Sequence, residues 1–351
     1  MALNSAWAVH FVIVLNLLAS GGVAFADESQ TETEQTPATQ EAKSVPASLK
    51  PDPVVVQPPK GMLPRPLVGL TNSSPYALLV DKSLRTMTVW KWTGDQPILV
   101  ASYPTDIGRN NGDKLAEGDR RTPEGVYFFL SKREKSELDV NTYGIRAYTT
   151  DYPNYFDRLE KKTGTGIWLH AVPDNQTLWR GSKGCVVVRN KVMDDLVPYI
   201  TLKSTPMVVE SKVEYLTPEQ WQSERSKILA WVEKWRSAWE TKDIDKYISY
   251  YKDNFSSMRM NKARWKKYKS ILAENYKYIK VGLENVQVFK HQDKFMFRFL
   301  QKYESDRKQD FGEKFLYVQD NQDGMGIVGE EWVPKNQANL AATSEASNNT
   351  H

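Results

Sequence analysis

The stretch Ile167–Arg189 reads IWLHAVPDNQTLWRGSKGCVVVR and contains Cys185, the one cysteine of the 351-residue chain. It also contains His170, one of four histidines; the other three lie in an N-terminal apolar segment, in a distant part of the chain and at the last position. A thiolate is the nucleophilic form of cysteine, and a nearby imidazole can take up its proton. The pattern therefore predicts thiol chemistry, with Cys185 as the nucleophile and His170 as the base.

The residues around the cysteine predict how the thiol is presented. Gly184 comes directly before it, and a glycine there permits a tight turn and the close approach of a substrate. Successive backbone N–H groups in such a turn can face a developing oxyanion. Short apolar runs at Trp168-Leu169 and Val186–Val188 predict buried strands that would bring base and nucleophile to neighbouring strand ends. The alternative is a buried structural cysteine, which is the commoner state of an unpaired cysteine.

Two motifs resemble the L,D-transpeptidase catalytic domain family (YkuD type). The family signature is a histidine followed at a distance by Ser/Thr-x-Gly-Cys, and the matching residues here are His170, Ser182, Gly184 and Cys185. The second family motif is Gly-x-x-x-Thr-Pro-x-Gly-x-Tyr/Phe, which Gly118–Tyr127 matches as GDRRTPEGVY. Both motifs occur in the order that the family has, so a chance match is a poor explanation.

The resemblance covers residues 67–212 and implies a mainly β catalytic domain with a β-sandwich-like fold. Short apolar runs broken by Gly, Asp and Asn also predict a mostly β domain. Two positions depart from the family pattern. Ala171 follows the histidine where many members have glycine, and Val187 stands where many have an arginine that binds the substrate carboxylate. Arg189 is the candidate substitute for that arginine.

Two aromatic residues, Trp168 and Tyr143, are further candidates for substrate binding. Tyr143 lies in residues 131–166, a long aromatic and polar stretch. Loops of this length in a compact domain are often binding loops or lids, and the alternative is a surface excursion packed by its own aromatic rings.

The resemblance implies an enzyme that acts on peptidoglycan stem peptides without a cofactor. Cys185 would attack the carbonyl group between a diamino acid and the terminal D-alanine, and His170 would take the thiol proton and then protonate the leaving amine. Backbone N–H groups near Gly184 and Cys185 would bind the oxyanion. Ser182 would shape the turn or orient the site, although a purely structural hydroxyl explains its presence equally well.

The acceptor of the acyl group is left open by the sequence. An amine acceptor makes the enzyme an L,D-transpeptidase, which is the first hypothesis. Water makes it an L,D-carboxypeptidase that trims tetrapeptides to tripeptides. A protein that binds the cell wall without catalysis, and carries a vestigial thiol, is the third hypothesis; the intact set of His170, Ser182, Gly184 and Cys185 argues against it.

The N-terminal part of the chain predicts export. Residues 1–26 contain an apolar segment that ends in Ala-Phe-Ala, the pattern of a signal-peptide cleavage site, although no Lys or Arg precedes it. An uncleaved membrane tether formed by residues 6–25 is the alternative. Residues 27–66 are rich in Thr, Glu, Gln, Ser and Pro and predict a disordered linker. Both alternatives predict a periplasmic or cell-envelope location, and the single cysteine excludes an internal disulfide.

A second domain is predicted over residues 213–334, followed by a disordered tail at 335–351. Thr217–Gln220 form a capping box with proline at the first helical position, and the helix that follows has an apolar face that includes Trp235 and Trp239. These tryptophans are more typical of a core than of a ligand cage. Alternating strands come after the helices, which indicates an α+β plan.

The second domain resembles the nuclear-transport-factor-2-like, or SnoaL-like, cone fold. The residues that carry this resemblance are Trp239–Asp243, Tyr247, Phe255 and Glu331-Trp332. A catalytic domain followed by such a domain resembles the cell-shape L,D-carboxypeptidases of helical bacteria as well as transpeptidases. A fold of this kind often has a pocket, but membership does not say what fills it.

Charge and ligand counts limit the other function classes. The net charge of +4 is modest, and a basic run in the predicted helix 261–272 is more typical of a solvated face than of a contact with an anionic polymer. Nucleic acid is not expected as the partner of an exported chain. Two histidines within the predicted domains and one cysteine do not make a zinc site, so no metal is predicted.

Overall fold

The computed structural model describes residues 51–335 of the chain. The predicted signal or anchor segment, residues 27–50 of the predicted linker and residues 336–351 of the predicted tail lie outside the described residues. Within the described part, an eight-stranded and a five-stranded sheet form two lobes, which we call the N-terminal and the C-terminal lobe. The predicted fold class, a mainly β domain followed by an α+β cone-like domain, is confirmed.

The N-terminal lobe is built on the eight-stranded sheet. Its strands are β3 (Tyr76–Asp81), β4 (Thr86–Trp92), β5 (Pro97–Pro104), β6 (Gly125–Glu134), β7 (Arg146–Thr150), β8 (Trp168–Val172), β9 (Val186–Arg189) and β10 (Pro206–Glu210). They are ordered β5-β4-β3-β10-β6-β7-β8-β9. The β3–β10 and β8–β9 pairs are parallel and the other neighbours are antiparallel.

Three short helices complete the N-terminal lobe. They are α1 (Val140–Tyr143), α2 (Tyr155–Leu159) and α3 (Asn190–Leu196), together with 3-10 turns at Lys135–Glu137, Leu178–Arg180 and Val197–Tyr199. The stretch 131–166, predicted as one long loop, instead contains α1, α2 and the central strand β7. Tyr148 and Ala147 of β7 are buried, so the aromatic residues in this stretch belong largely to the sheet and its core.

Both faces of the eight-stranded sheet carry buried apolar side chains. Leu78 and Val80 of β3 pack into a cluster on one face, and Ala77 and Leu79 pack into another cluster on the opposite face. Successive side chains of a strand point to opposite faces, so such a strand needs a packing partner on both sides. The second face is covered by the C-terminal lobe.

The C-terminal lobe is a curved sheet with three helices. Its strands are β14 (Ile279–His291), β15 (Lys294–Ser305), β16 (Gln309–Asn321) and β17 (Gly324–Pro334), with β2 (Leu67–Gly69) added at the β14 edge. Its helices are α4 (Pro218–Glu240), α5 (Ile244–Ser249) and α6 (Lys262–Asn275). Two small pairs remain, β1 (Leu63–Pro64) with β11 (Tyr215–Leu216) and β12 (Ser256–Ser257) with β13 (Met260–Asn261).

Helix α4 begins where the sequence predicts. The Thr217 side chain accepts a hydrogen bond from the Gln220 amide, and the Gln220 side chain accepts one from the Thr217 amide, which satisfies two of the free N–H groups at the helix start. Its apolar face buries Trp235 and Trp239 in the core of the lobe. Within residues 51–335, none of the helices is both long and apolar enough to cross a membrane.

The basic helix α6 divides its lysines between solvent and core. Lys262 and Lys266 form exposed ion pairs with carboxylates of neighbouring segments, as expected of a solvated face. Lys269 instead lies over the rings of Trp239 and Trp265, at 4.3 and 4.8 Å from their centres. One face of the helix is therefore part of the aromatic core.

A shared apolar cluster joins the two lobes. It contains Phe128 of β6 and Phe289 of β14, whose rings meet edge to face at 6.1 Å. Tyr155 of α2 stacks on Tyr317 of β16 at 4.2 Å, and its hydroxyl donates to the Val328 carbonyl at 2.7 Å. Burial of large apolar side chains is the main favourable term in such a contact, so we expect the lobes to behave as one cooperative unit.

Phe289→Ala should destabilise both lobes together. The ring is fully buried, and truncation of a buried Phe typically costs about 3–5 kcal/mol. We expect a lower urea midpoint and one transition, seen alike by tryptophan fluorescence and far-ultraviolet circular dichroism. Met258→Ala is the control, because Met258 is 72% exposed and its loss should change stability by less than about 0.5 kcal/mol. Two separate transitions in the unsubstituted protein would contradict a shared core.

Candidate active site

The parallel pair β8–β9 places His170 and Cys185. In its register His170 lies opposite Val187, and Cys185 directly precedes β9. Leu169 and Val186 point into the apolar core, so the alternating residues His170 and Cys185 face the other side of the sheet. His170 and Cys185 thus share one face at two hydrogen-bonded strands.

The His170 ring is buried and its orientation is fixed. Its Nδ1 lies 2.7 Å from the Ala171 carbonyl oxygen, which can only accept, so Nδ1 carries the proton and Nε2 is left as the acceptor. The Tyr143 ring meets the imidazole edge to face at 5.1 Å. Burial, with a smaller contribution from the positive charge of Arg180, lowers the pKa of His170 to about 4. The imidazole is therefore neutral at pH 7 and able to accept a proton.

The Cys185 thiol is half-buried and protonated at rest. Its Sγ lies 3.6 Å from the Gly166 carbonyl oxygen, the distance of a weak S–H···O hydrogen bond. Burial raises the pKa of Cys185 to about 11, against which the charge of Lys114 acts in the opposite direction. The resting site is thus a neutral thiol beside a neutral imidazole, and not a preformed ion pair.

The turn before the cysteine depends on Ser182 and Gly184. The Ser182 hydroxyl donates to the Cys185 carbonyl at 2.6 Å and accepts from the Gly184 amide at 3.0 Å. Gly184 has φ +135°, and a Cβ there would lie 2.7 Å from the Arg121 carbonyl oxygen, so no other residue fits without a shift of the backbone. The Gly184 amide is engaged within the turn, which leaves it unavailable to an oxyanion.

The second sequence motif lies directly behind this turn. The Thr122 hydroxyl accepts from the Gly108 amide at 2.8 Å, and the Lys82 ammonium donates to the Thr122 carbonyl at 2.7 Å. Lys82 also forms a buried ion pair with Glu124 at 2.9 Å. Lys82 thus binds the segment at two points, and loss of either partner of the buried pair would leave an uncompensated charge.

Asp106 is a site residue that sequence reasoning missed. Its backbone exchanges two hydrogen bonds of 2.8 Å with Val187, which covers the edge of β9 away from β8. Its carboxylate forms an ion pair with Arg85 and accepts from the Gly181 amide at 2.8 Å. Asp106 therefore connects β9 to the start of the cysteine turn. A single aspartate in a loop gives no sequence signal for such a role.

Arg180 was also missed, although it lies inside the stretch that the sequence singled out. It donates to the Gln176 side chain at 2.8 Å and to the Thr142 carbonyl at 3.4 Å, and its charge acts on His170. Among residues 51–335, Arg180 has no carboxylate partner within 4.0 Å. A half-buried cation without a counter-ion beside His170 can attract an anionic group of a ligand.

The predicted substrate-binding residues fall in two places. Trp168 and Tyr143 lie together beside His170, with their ring centres 5.2 Å apart. Arg189 lies at the other end of β9 from Cys185, where its guanidinium pairs with Asp52 at 2.5 and 2.6 Å. Within the described residues, no cluster of three or more His, Cys, Asp or Glu side chains could hold a metal ion.

Two family models match the chain. Residues 75–209 match the L,D-transpeptidase catalytic domain (YkuD), and residues 227–331 match the Cds6 C-terminal NTF2-like domain. Both resemblances predicted from the sequence are thereby confirmed. A comparison with curated proteins gave no match.

Solved structures match over most of the chain. The structure of Bdellovibrio bacteriovorus Bd1075 is 40% identical, with a TM-score of 0.74, over 79% of this chain and 99% of that one. Two structures of the helical cell shape determining protein Pgp2 from Campylobacter jejuni are 22% and 23% identical, with TM-scores of 0.62 and 0.59. They cover 76% and 75% of this chain and 94% and 96% of their own, and at this identity they show a shared fold.

The neutral resting state predicts slow alkylation of Cys185. A pKa of about 11 in place of 9.0 leaves about a hundredfold less thiolate at pH 8 than an ordinary cysteine has. The iodoacetamide rate should therefore lie well below that of N-acetylcysteine at pH 8 and rise about tenfold per pH unit up to about pH 11. Cys185→Ala, which lacks the one thiol of the chain, gives the background rate of the reaction. A rate that levels off below pH 9 would mean that the thiolate is already stabilised at rest.

Proposed function

Because the chain belongs to the L,D-transpeptidase catalytic domain (YkuD) family, we propose that it is an L,D-carboxypeptidase that removes the terminal D-alanine from peptidoglycan tetrapeptide stems. The observation that supports the proposal is that Cys185 and His170 lie on the same face of the adjacent strands β8 and β9, with His170 Nδ1 bonded to the Ala171 carbonyl so that Nε2 is free. The thiol supplies the nucleophile and the free Nε2 supplies the base.

In the acylation step, Cys185 Sγ bonds to the carbonyl carbon and its proton passes to His170 Nε2. The tetrahedral intermediate then collapses with cleavage of the C–N bond, and His170 returns the proton to the leaving amine of D-alanine. A thioester to Cys185 remains. We assign the oxyanion contact to the Cys185 amide, since the Gly184 amide is bonded to Ser182.

Proton transfer should accompany the attack and not precede it. With a thiol pKa of about 11 and an imidazole pKa of about 4, the separated ion pair is strongly disfavoured in the empty site. A substrate carboxylate beside Arg180 would offset the positive charge that opposes the imidazolium. Substrate binding would then activate the pair.

The other site residues take supporting roles in this proposal. Tyr143 and Trp168 form an aromatic wall beside the base, against which the stem peptide can pack. Ser182 holds the turn and does not take part in proton transfer, because its hydroxyl already donates to the Cys185 carbonyl. Arg189 binds a substrate carboxylate at the far end of β9.

Water is the proposed acceptor for two reasons. Cys185 is half-buried and not sealed, so water can reach the thioester, with His170 as its base. The catalytic domain is followed by an NTF2-like domain, the arrangement that also resembles cell-shape carboxypeptidases. An amine acceptor on a second stem peptide would make the protein a transpeptidase and remains the alternative that the assay must separate.

The same architecture supports the proposal of a role in cell shape. Pgp2, with the same fold over most of its length, is a helical cell shape determining protein. Trimming stems removes the donors of later cross-links, which would change wall curvature locally. The predicted export segment would deliver this chain to the periplasm or cell envelope.

Incubation with a disaccharide-tetrapeptide should give tripeptide and free D-alanine by mass spectrometry. Cys185→Ala should give neither product, and His170→Ala should slow release by about 10²–10⁴-fold, the usual contribution of a general base. Met258→Ala, exposed in the C-terminal lobe, should behave as the unsubstituted protein. A cross-linked dimer with loss of D-alanine would change the assignment to transpeptidase. Identical spectra for Cys185→Ala and the unsubstituted protein would contradict catalysis on this substrate.

A further inference from the structure

The first described residues of the chain lie against the active-site lobe. Residues 51–59 have no regular secondary structure, yet Pro53 is buried and Gln57 accepts a hydrogen bond from Ser102 of β5 at 2.9 Å. We call residues Pro51–Pro53 the strap. Its two polar contacts are with residues that flank the cysteine turn.

The first contact is an ion pair between Asp52 and Arg189. Arg189 Nε and Nη2 each donate to one carboxylate oxygen of Asp52, at 2.6 and 2.5 Å, in the two-pronged geometry that suits carboxylates. The remaining nitrogen, Nη1, donates to the Asp174 and Gln176 carbonyls, both at 2.8 Å. Those two bonds hold the guanidinium in place without Asp52, so the carboxylate-binding geometry is built into the lobe.

The second contact is made by Trp179. Its indole Nε1 donates to the Pro51 carbonyl at 2.7 Å, although the side chain is 44% exposed. The Arg85 guanidinium lies 4.7 Å from the centre of the ring, and Arg85 is itself paired with the buried Asp106. The Arg85 guanidinium therefore packs against the Trp179 ring, whose Nε1–H points toward the strap.

The two donors lie within reach of a peptide held at the catalytic cysteine. Cys185 directly precedes β9 and Arg189 is its last residue, so the two lie four residues apart along an extended backbone, which corresponds to roughly 13 Å. A peptide of about four extended residues spans that distance. A stem peptide acylated at Cys185 can thus extend an acidic arm to Arg189.

We propose that Arg189 and Trp179 form a subsite for an extended acidic peptide, and that Pro51 and Asp52 occupy this subsite as an internal competitor. In this subsite Arg189 binds a side-chain carboxylate, and the Trp179 indole donates to the backbone carbonyl of the preceding residue. Asp52 and Pro51 of the strap make the same two contacts. That the external ligand is a peptidoglycan stem peptide rests on the proposed function; the binding of an acidic peptide does not.

Competition by the strap should change the apparent dissociation constant of an external ligand. If the strap is closed in about nine of ten molecules, the apparent affinity for an external ligand falls about tenfold. Asp52→Asn keeps the shape of the side chain but removes the charge that Arg189 binds. The substitution should therefore lower the apparent dissociation constant of an acidic ligand by about three- to tenfold.

The test uses the full chain and the synthetic peptide acetyl-Pro-Asp-Pro-Val-amide, which copies the strap. Binding is followed by the NMR signal of the Trp179 indole N–H, which is assigned by its absence in Trp179→Phe. Asp52→Asn and Asp52→Ala should bind the peptide more tightly than the unsubstituted protein. A peptide with Asn in place of its Asp should bind neither of these two variants. Asp253→Asn removes an exposed aspartate of the C-terminal lobe and should change nothing.

A second arm separates this inference from the proposed function. With the tetrapeptide substrate, Asp52→Asn should lower KM and leave kcat unchanged, and amidation of the side carboxylates of the substrate should remove the gain. Tighter peptide binding without turnover in any variant would overturn the carboxypeptidase and support the subsite. Turnover with peptide binding no tighter in Asp52→Asn or Asp52→Ala than in the unsubstituted protein would overturn the internal competitor.

Discussion

The site depends on the parallel register of β8 and β9, which is fixed from both sides of β9. On one side Leu169 and His170 pair with Val186 and Val187, and on the other side the backbone of Asp106 closes the second edge of β9 at Val187. A slip of one residue would turn Cys185 from the face it shares with His170 to the opposite face, where Leu169 and Val186 are packed. The buried residues on the opposite face of both strands oppose any such slip, so the core of the lobe fixes the positions of His170 and Cys185.

A rigid frame allows the site to keep both reacting groups neutral. Burial raises the pKa of the thiol and lowers that of the imidazole, and each shift favours the uncharged form. The Ser182 hydroxyl and the Gly184 amide form hydrogen bonds within the turn that presents the thiol, so neither is free to bind a substrate. Under the proposed mechanism, the activation of the pair comes with the substrate, and Arg180 beside His170 is a group through which a substrate carboxylate could act.

Much of this arrangement could be predicted from the sequence, because it is local. The histidine and the cysteine turn lie within one short stretch, and the capping residues Thr217–Gln220 indicate the start of α4. Contacts between distant segments could not be predicted. Asp106 contacts Gly181, and Asp52 contacts Arg189, only in the folded chain. Strand β7 could not be recognised because it is short and its neighbours in sequence are a mixture of polar and aromatic residues.

The most direct test of the account is to trap the covalent intermediate. The protein is mixed with disaccharide-tetrapeptide in water enriched in ¹⁸O, quenched in acid within its first turnovers, digested and analysed by mass spectrometry. The account predicts an acyl adduct on the peptide that contains Cys185, with the mass of the substrate less D-alanine, and one ¹⁸O atom in the tripeptide product. Release of D-alanine without that adduct, and undiminished in Cys185→Ala, would contradict it.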